Sequence, residues 1–158
     1  MSIHKLKIGI LTTTISNFGS TGFYNSQDIG LARKLRDNVE FVNIYKLISN
    51  KGKRLSEPLF PNVRVNYIPS RNIGVNGILD IKELDTDLDV LIYFSDTQLS
   101  LPRINKWCLR NSIKLLPYIG TMKSNSKNPL IRKVNNLISL RNANIYKGLT
   151  CIVKTSQV

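Results

Sequence analysis

An α/β domain on a mostly parallel sheet of about six strands is the fold the sequence predicts, from three observations. The first is the opening unit. Residues 7–14 are apolar and β-branched without clean alternation, as in a central parallel strand covered on both faces. Gly19-Ser20-Thr21-Gly22 and an amphipathic stretch over residues 27–36 follow it. The second is repetition, because five further strand candidates alternate with helical or loop segments. The third is size: 158 residues suffice for one domain, which buries roughly 70% of its unfolded surface without staples. Together these describe a Rossmann-like three-layer sandwich over residues 1–158, with its working face at the carboxyl ends of the strands.

Each element has its own warrant. Asn25 is placed to cap the first helix, with Asp28 three residues on, and Ile29, Ala32 and Leu35 share its inward face. The second and third strands are residues 39–45 and 63–68, separated by a Lys-, Gly- and Pro-rich loop over residues 49–61. Residues 89–95 form the fourth strand, 113–120 the fifth and 149–154 the sixth. Ser100 and Pro102 open a helix whose inner side is Ile104, Trp107 and Cys108. The longest helical pattern spans residues 130–147. Leu130, Ile131, Val134, Leu137, Ile138 and Ile145 line one side of it, interrupted by Arg141, and this stripe is expected to pack on the sheet.

Charge is unevenly placed. Twenty-three Lys and Arg against ten Asp and Glu give +13. All ten acids lie at or before Asp96, whereas residues 97–158 hold eleven Lys or Arg and no acid. Such a field either marks a polyanionic partner (nucleic acid, an anionic bilayer, a phosphorylated substrate) or is the solvated surface of a basic protein. Cys108 and Cys151 are isolated thiols without metal-ligand spacing, and no apolar run reaches about 18 residues. With no leader before the first strand, a reduced, cytoplasmic, non-spanning protein is expected.

The Gly19–Gly22 turn lacks the Lys-Ser/Thr pair of a P-loop, and also the third glycine of the dinucleotide fingerprint. It is either a flexible turn or one that admits a ligand close to the backbone, since glycine has no Cβ in the way. His4 is the only histidine and precedes the first strand, which excludes Ser-His-Asp and Cys-His arrangements and a histidine zinc site within the chain. Asp80, Glu83, Asp85, Asp87 and Asp89 have the look of a metal cluster, but are expected to form the solvated face of a short helix; no metal is assigned. Asp96 follows the apolar run 90–94 and so falls on the working face. There it either accepts hydrogen bonds from a hydroxylated ligand or turns the chain into the next helix. Gly120, Thr121 and Lys123 hold the matching place after the fifth strand, where Lys would meet phosphate, and Ser156 holds the one after the sixth. Phe23, Tyr24, Tyr118 and Tyr146 are scattered, with no basic-aromatic stripe, so nucleic acid is not the favoured partner.

The strand, the glycine-bearing loop and Gln27-Asp28-Ile29-Gly30-Leu31-Ala32-Arg33-Lys34-Leu35 resemble the start of family 4, GT-B fold glycosyltransferases, whose first helix reads x-x-x-L-A-x-x-L. Asn144-Ile145-Tyr146-Lys147 followed by Thr150-Cys151-Ile152-Val153-Lys154-Thr155-Ser156 is similar to the last strand of that family's amino-terminal domain, which carries a Ser or Thr before the crossing to the second domain. The resemblance implies the acceptor-binding half of an enzyme that moves a sugar from a nucleotide-sugar to a polysaccharide, glycolipid or similar acceptor. The second domain, which would hold the nucleotide-sugar, is absent from this chain, so the isolated half is expected to be inactive; no cofactor is expected. By this likeness Gly19, Ser20, Thr21 and Gly22 lie near the donor phosphates, and Tyr24, Asp96, Gly120, Thr121, Lys123 and Ser156 line the acceptor side. Many members place a His after the fifth strand, where this chain has Tyr118-Ile119-Gly120-Thr121, so no residue is assigned a catalytic role.

Relatives that act on lipid-linked acceptors at the cytoplasmic leaflet give the charge a meaning. Lys127, Arg132, Lys133 and Lys147 would face an anionic membrane surface, at about 1 kcal/mol for each well-placed cation. The helix over residues 130–147 would then be interfacial instead of packed on the sheet. A basic module for nucleic acid or a phosphorylated ligand is the alternative function, and a self-contained nucleotide-handling enzyme a third.

Overall fold

Ile8, Ile10 and Leu11 are buried on alternating sides of one strand, which places that strand at the centre of a sheet covered on both faces. In the computed structural model this is β1 (Lys7–Thr12). Residues 5–14, 23–49, 53–73, 76–95, 98–119 and 126–153 are described, apart from the side chains of residues 23–26 and 49. The chain continues through α1 (Phe23–Leu35), β2 (Phe41–Ser49), β3 (Leu55–Phe60), β4 (Val63–Ile73), β5 (Asn76–Leu79), β6 (Val90–Phe94), α2 (Leu101–Arg110), β7 (Lys114–Ile119), α3 (Pro129–Tyr146) and β8 (Ile152–Val153).

The eight strands form one mixed, mostly parallel sheet in the order β3-β4-β2-β1-β6-β7-β8, with β5 paired to β4. The strands expected from the sequence are its parallel members, β4, β2, β1, β6, β7 and β8. Their spatial order, third-second-first-fourth-fifth-sixth, is that of a doubly wound sheet and is consistent with a Rossmann-like fold. The count of about six misses β3 and β5, both antiparallel to β4. Residues 49–61 are thus not a plain loop. β3 is an exposed edge strand carrying Pro58, so it shows neither the alternation nor the composition that marks a buried strand.

Helices cover opposite faces. Ala32, Ile29 and Leu35 of α1 pack on Ile8, Ile10, Val42, Ile44 and Ile92. On the other face Leu101, Ile104 and Cys108 of α2, with Trp107 and with Ile145 and Tyr146 of α3, pack on Leu11, Tyr45, Leu91, Tyr93 and Leu115. The inward residues expected of α1 and α2 are those found. The start of α1 is not: it begins at Phe23, so Asn25 lies inside the helix. The stripe on α3 also departs from expectation. Only Ile145 of that stripe packs against the core cluster, while Leu130, Ile131, Val134 and Leu137 are exposed. Asn128 caps this helix, its Oδ1 accepting from the amides of Leu130 and Ile131 at 2.9 and 3.3 Å.

The acids before β6 flank a short 3-10 turn, Ile81–Glu83, where Asp80 and Asp87 stay exposed to solvent while also serving as ties. Asp80 accepts from the Lys82 amide at 3.2 Å and caps a short 3-10 turn, and Glu83 pairs with Arg54 at 2.9 Å. Asp87 holds the Lys7 ammonium at 3.0 Å, while Asp89 accepts from the Lys7 amide at 2.8 Å. Among the described residues no group of three ligating side chains is placed to hold a metal ion.

Candidate functional site

β1 leads through α1 to β2 on one side, while β6 leads through α2 to β7 on the other. The order of strands therefore reverses between β1 and β6, and their carboxyl ends part there. In open α/β sheets that crevice is where ligands bind.

Polar side chains gather at this point. Thr13 is buried and its Oγ1 lies 3.0 Å from Tyr93 Oη. Its amide donates to Phe94 O at 3.2 Å and its carbonyl accepts from Gly77 N at 2.7 Å, so β5 is tied to the same edge. Burial pushes the Tyr93 phenol up to about 12, which keeps it a neutral hydrogen-bonding group. Beyond β6, Gln98 takes a left-handed backbone with φ +46° and acts as a junction. Its amide donates to Ser95 Oγ at 3.1 Å and its Nε2 to Tyr118 O at 2.7 Å. In turn Gln98 Oε1 accepts from Tyr146 Oη, and its carbonyl from Asn142 Nδ2, both at 2.9 Å. The ends of β6, β7 and α3 are thereby held together. Arg141, which breaks the apolar stripe in the sequence, caps Leu99 O at 2.8 Å and so anchors α3 to the same junction.

Beneath α1 the polar groups are less completely used. Thr12 registers with Lys46 on β2, so both side chains point to the α1 face. Asp28 reaches down from α1 and its Oδ2 forms an ion pair with Lys46 Nζ at 3.3 Å. Thr12 Oγ1 and Gln27 Oε1 are buried without a hydrogen-bond partner among the described residues. Burial raises the Asp28 carboxyl above the ordinary carboxylate value, against the pull of Lys46. Two buried oxygens with unused hydrogen-bonding capacity, beside the Asp28–Lys46 ion pair, suit the hydroxyls of a polar ligand; unpaired buried polar atoms are otherwise rare.

Of the residues singled out in the sequence, Gly19, Ser20, Thr21, Gly22, Asp96, Gly120, Thr121, Lys123, Ser156 and His4 lie outside the described residues, as does the side chain of Tyr24. Lys127, Arg132, Lys133 and Lys147 are exposed, the first just before α3, the next two on it and the last at its carboxyl end. They flank the apolar residues that α3 leaves uncovered. Thr12, Thr13, Gln27, Lys46, Ser95 and Gln98 were not marked by the sequence. Their one local signal is polarity at the end of an apolar strand or at the start of a helix. Both cysteines are free: Cys108 is buried, which pushes its thiol up to about 12, and partial burial also raises Cys151.

No protein-family model matches the chain, and no curated protein matches it either.

Proposed function

We propose that this chain is the acceptor-side half of a sugar transferase, a three-layer Rossmann-like domain that orients a glycan or lipid-linked acceptor. In this reading a second domain of GT-B type brings the nucleotide-sugar. The observation that supports it is the reversal of strand order between β1 and β6, with the Asp28–Lys46 ion pair nearby and buried oxygens of Thr12 and Gln27 that have no hydrogen-bond partner among the described residues. The Gln27 side-chain carbonyl accepts, and the Thr12 hydroxyl both donates and accepts, which suits the hydroxyls of a sugar. By the same reading Gly19 to Gly22 approach the donor phosphates, while Asp96, Gly120, Thr121, Lys123, Ser156 and Tyr24 complete the acceptor wall. Holding the acceptor hydroxyl in line with the donor sugar supplies rate by proximity, without a catalytic side chain from this half.

In this reading the acceptor sits at an anionic membrane surface, which an exposed stripe on α3 supports. Leu130, Val134, Leu137 and Leu140 are 70, 48, 57 and 69% exposed on α3, with Arg132 and Lys133 between them. An uncovered apolar stripe set among cations is the pattern of an interfacial helix. No described helix is long and apolar enough to cross a membrane.

Amide chemical-shift mapping tests the reading. Oligosaccharide acceptors should perturb Thr12, Thr13, Ser95 and Gln98 at the carboxyl edge. Tight nucleotide-sugar binding and turnover by the chain alone would overturn it in favour of a self-contained enzyme. RNA or DNA binding that collapses with added salt, with no response to glycans, would favour the basic binding module.

A further inference from the structure

A second polar site lies at the opposite, amino-terminal end of the sheet. In a doubly wound sheet each crossover is a helix that covers one face. Between β2 and β4 the chain instead passes through β3, which stays in the plane of the sheet. Among the described residues, no helix on this route covers the half-face over β2, β4 and β3. β5 and the segment after it cover part of that half-face, with Leu79 and Leu84 in one core cluster with Tyr45, Leu47 and Ile68. A cleft of about 470 Å3 remains beside them, a size that takes a small molecule.

Register decides what lines it. Asn43 pairs with Arg64, Tyr45 with Asn66, and Ser56 of β3 with Asn66, so these side chains share one face. Asp85 stands beside them and accepts from Asn43 Nδ2 at 2.8 Å and from Tyr45 Oη at 2.7 Å. Asn66 is only 4% exposed, yet its Nδ2 has no hydrogen-bond partner among the described residues. A donor buried without an acceptor in the floor of a cleft asks for an oxygen from outside the chain. Arg54 is already paired with Glu83, but Arg64 is exposed and meets no carboxylate among the described residues. The cleft therefore offers one free cation, one unused amide donor and a carboxylate, next to the ring of Phe41.

We propose that this cleft binds a small polyhydroxylated oxyanion, an anionic sugar in chemical class, with Arg64 on its carboxylate or phosphate, Asn66 Nδ2 donating to one oxygen and Asp85 accepting from a hydroxyl. The site is separate from the carboxyl edge and does not depend on the sugar-transfer reading.

Titration of the isotope-labelled chain, followed by amide chemical shifts, tests it with four probes. Glucuronate and glycerol phosphate carry the two candidate anions; glucose and inorganic phosphate carry hydroxyls or charge alone. Saturable shifts at Asn43, Arg64 and Asn66 are expected with at least one of the first two, and the stronger of them identifies the anion. Arg64→Gln, at an exposed position where the fold is safe, should weaken that binding about tenfold, a usual loss for a charge-assisted contact. Asn66→Asp should abolish it. Equal binding of inorganic phosphate, shifts at Thr13, Ser95 and Gln98 in place of the cleft, an unaltered response in Arg64→Gln, or no saturable shift from any probe would each overturn the proposal.

Discussion

Gly9 interrupts β1 where a larger residue would ordinarily pack. A Cβ there would lie 2.8 Å from Leu88 Cδ1, 2.9 Å from Leu91 Cδ1 and 3.2 Å from Tyr45 Cε2. All three neighbours are buried side chains, so the glycine is a vacancy that the core fills from the other side. Gly9→Ala is expected to cost about 1–3 kcal/mol by overpacking. The urea midpoint should drop with an unchanged slope; an unmoved midpoint would mean the two leucines repack freely. Asp28 makes a prediction of a different kind. Its folded-state carboxyl is raised, mainly by burial, so the native chain holds that proton more tightly than the unfolded one. Stability from this group is therefore greatest below the ordinary carboxylate value, falls as pH rises through the raised value, and is level above it. Asp28→Asn removes that decline. The difference between wild-type and variant unfolding free energies, followed from acid to neutral pH, should change over that window; a pH-independent difference would refute the assignment.

At the scale of elements, β3 and α3 set this sheet apart from an idealised alternation of strands and helices. β3 replaces a covering helix with an edge strand, which leaves a cleft lined by polar residues of β2 and β4. α3 is held at its carboxyl end by Arg141, Asn142 and Tyr146, and leaves its apolar amino-terminal part uncovered. Apolar groups that are exposed in the folded state contribute little to its stability. Leu130→Ser with Val134→Ser should therefore leave unfolding within about 0.5 kcal/mol of wild type. The same pair should sharply reduce co-sedimentation with vesicles of anionic phospholipid. Undiminished vesicle binding would remove α3 from the interface, and a large loss of stability would mean the stripe is packed.

Over the whole molecule, charge is divided along the chain. Acids near the amino ends of the strands are engaged one by one with Lys7, Arg54, Asn43 and Tyr45. From Thr97 onward only bases remain, and they follow α2, β7 and α3. Attraction of this kind is screened, since the Debye length shrinks from about 10 Å at about 0.1 M salt to about 3 Å at about 1 M. Vesicle binding should accordingly need anionic lipid and weaken steeply across that range. Equal binding to neutral vesicles would show that the basic half plays no part.

Most of the sheet was legible in the chain itself. Buried parallel strands are short apolar runs, helices that cover them repeat their apolar residues every three or four positions, and both patterns are local. The chain by itself thus determined the six parallel strands, the inward faces of α1 and α2, and the one-sided charge. The glycine turn and the strand-end residues Asp96, Gly120, Thr121 and Lys123 were legible as candidates for the same reason, although they lie outside the described residues. Tertiary structure alone decided the rest. That residues 55–60 form a strand depended on an edge of β4 being free to pair. That only Ile145 and Tyr146 of α3 reach the core cluster, while Leu130, Ile131, Val134 and Leu137 stay exposed, followed from the packed fold and not from the helical period. Polar residues such as Thr12, Lys46 and Asn66 look like surface until register sets them beside partners distant in sequence, because burial is a property of the neighbours a residue acquires and not of the residue.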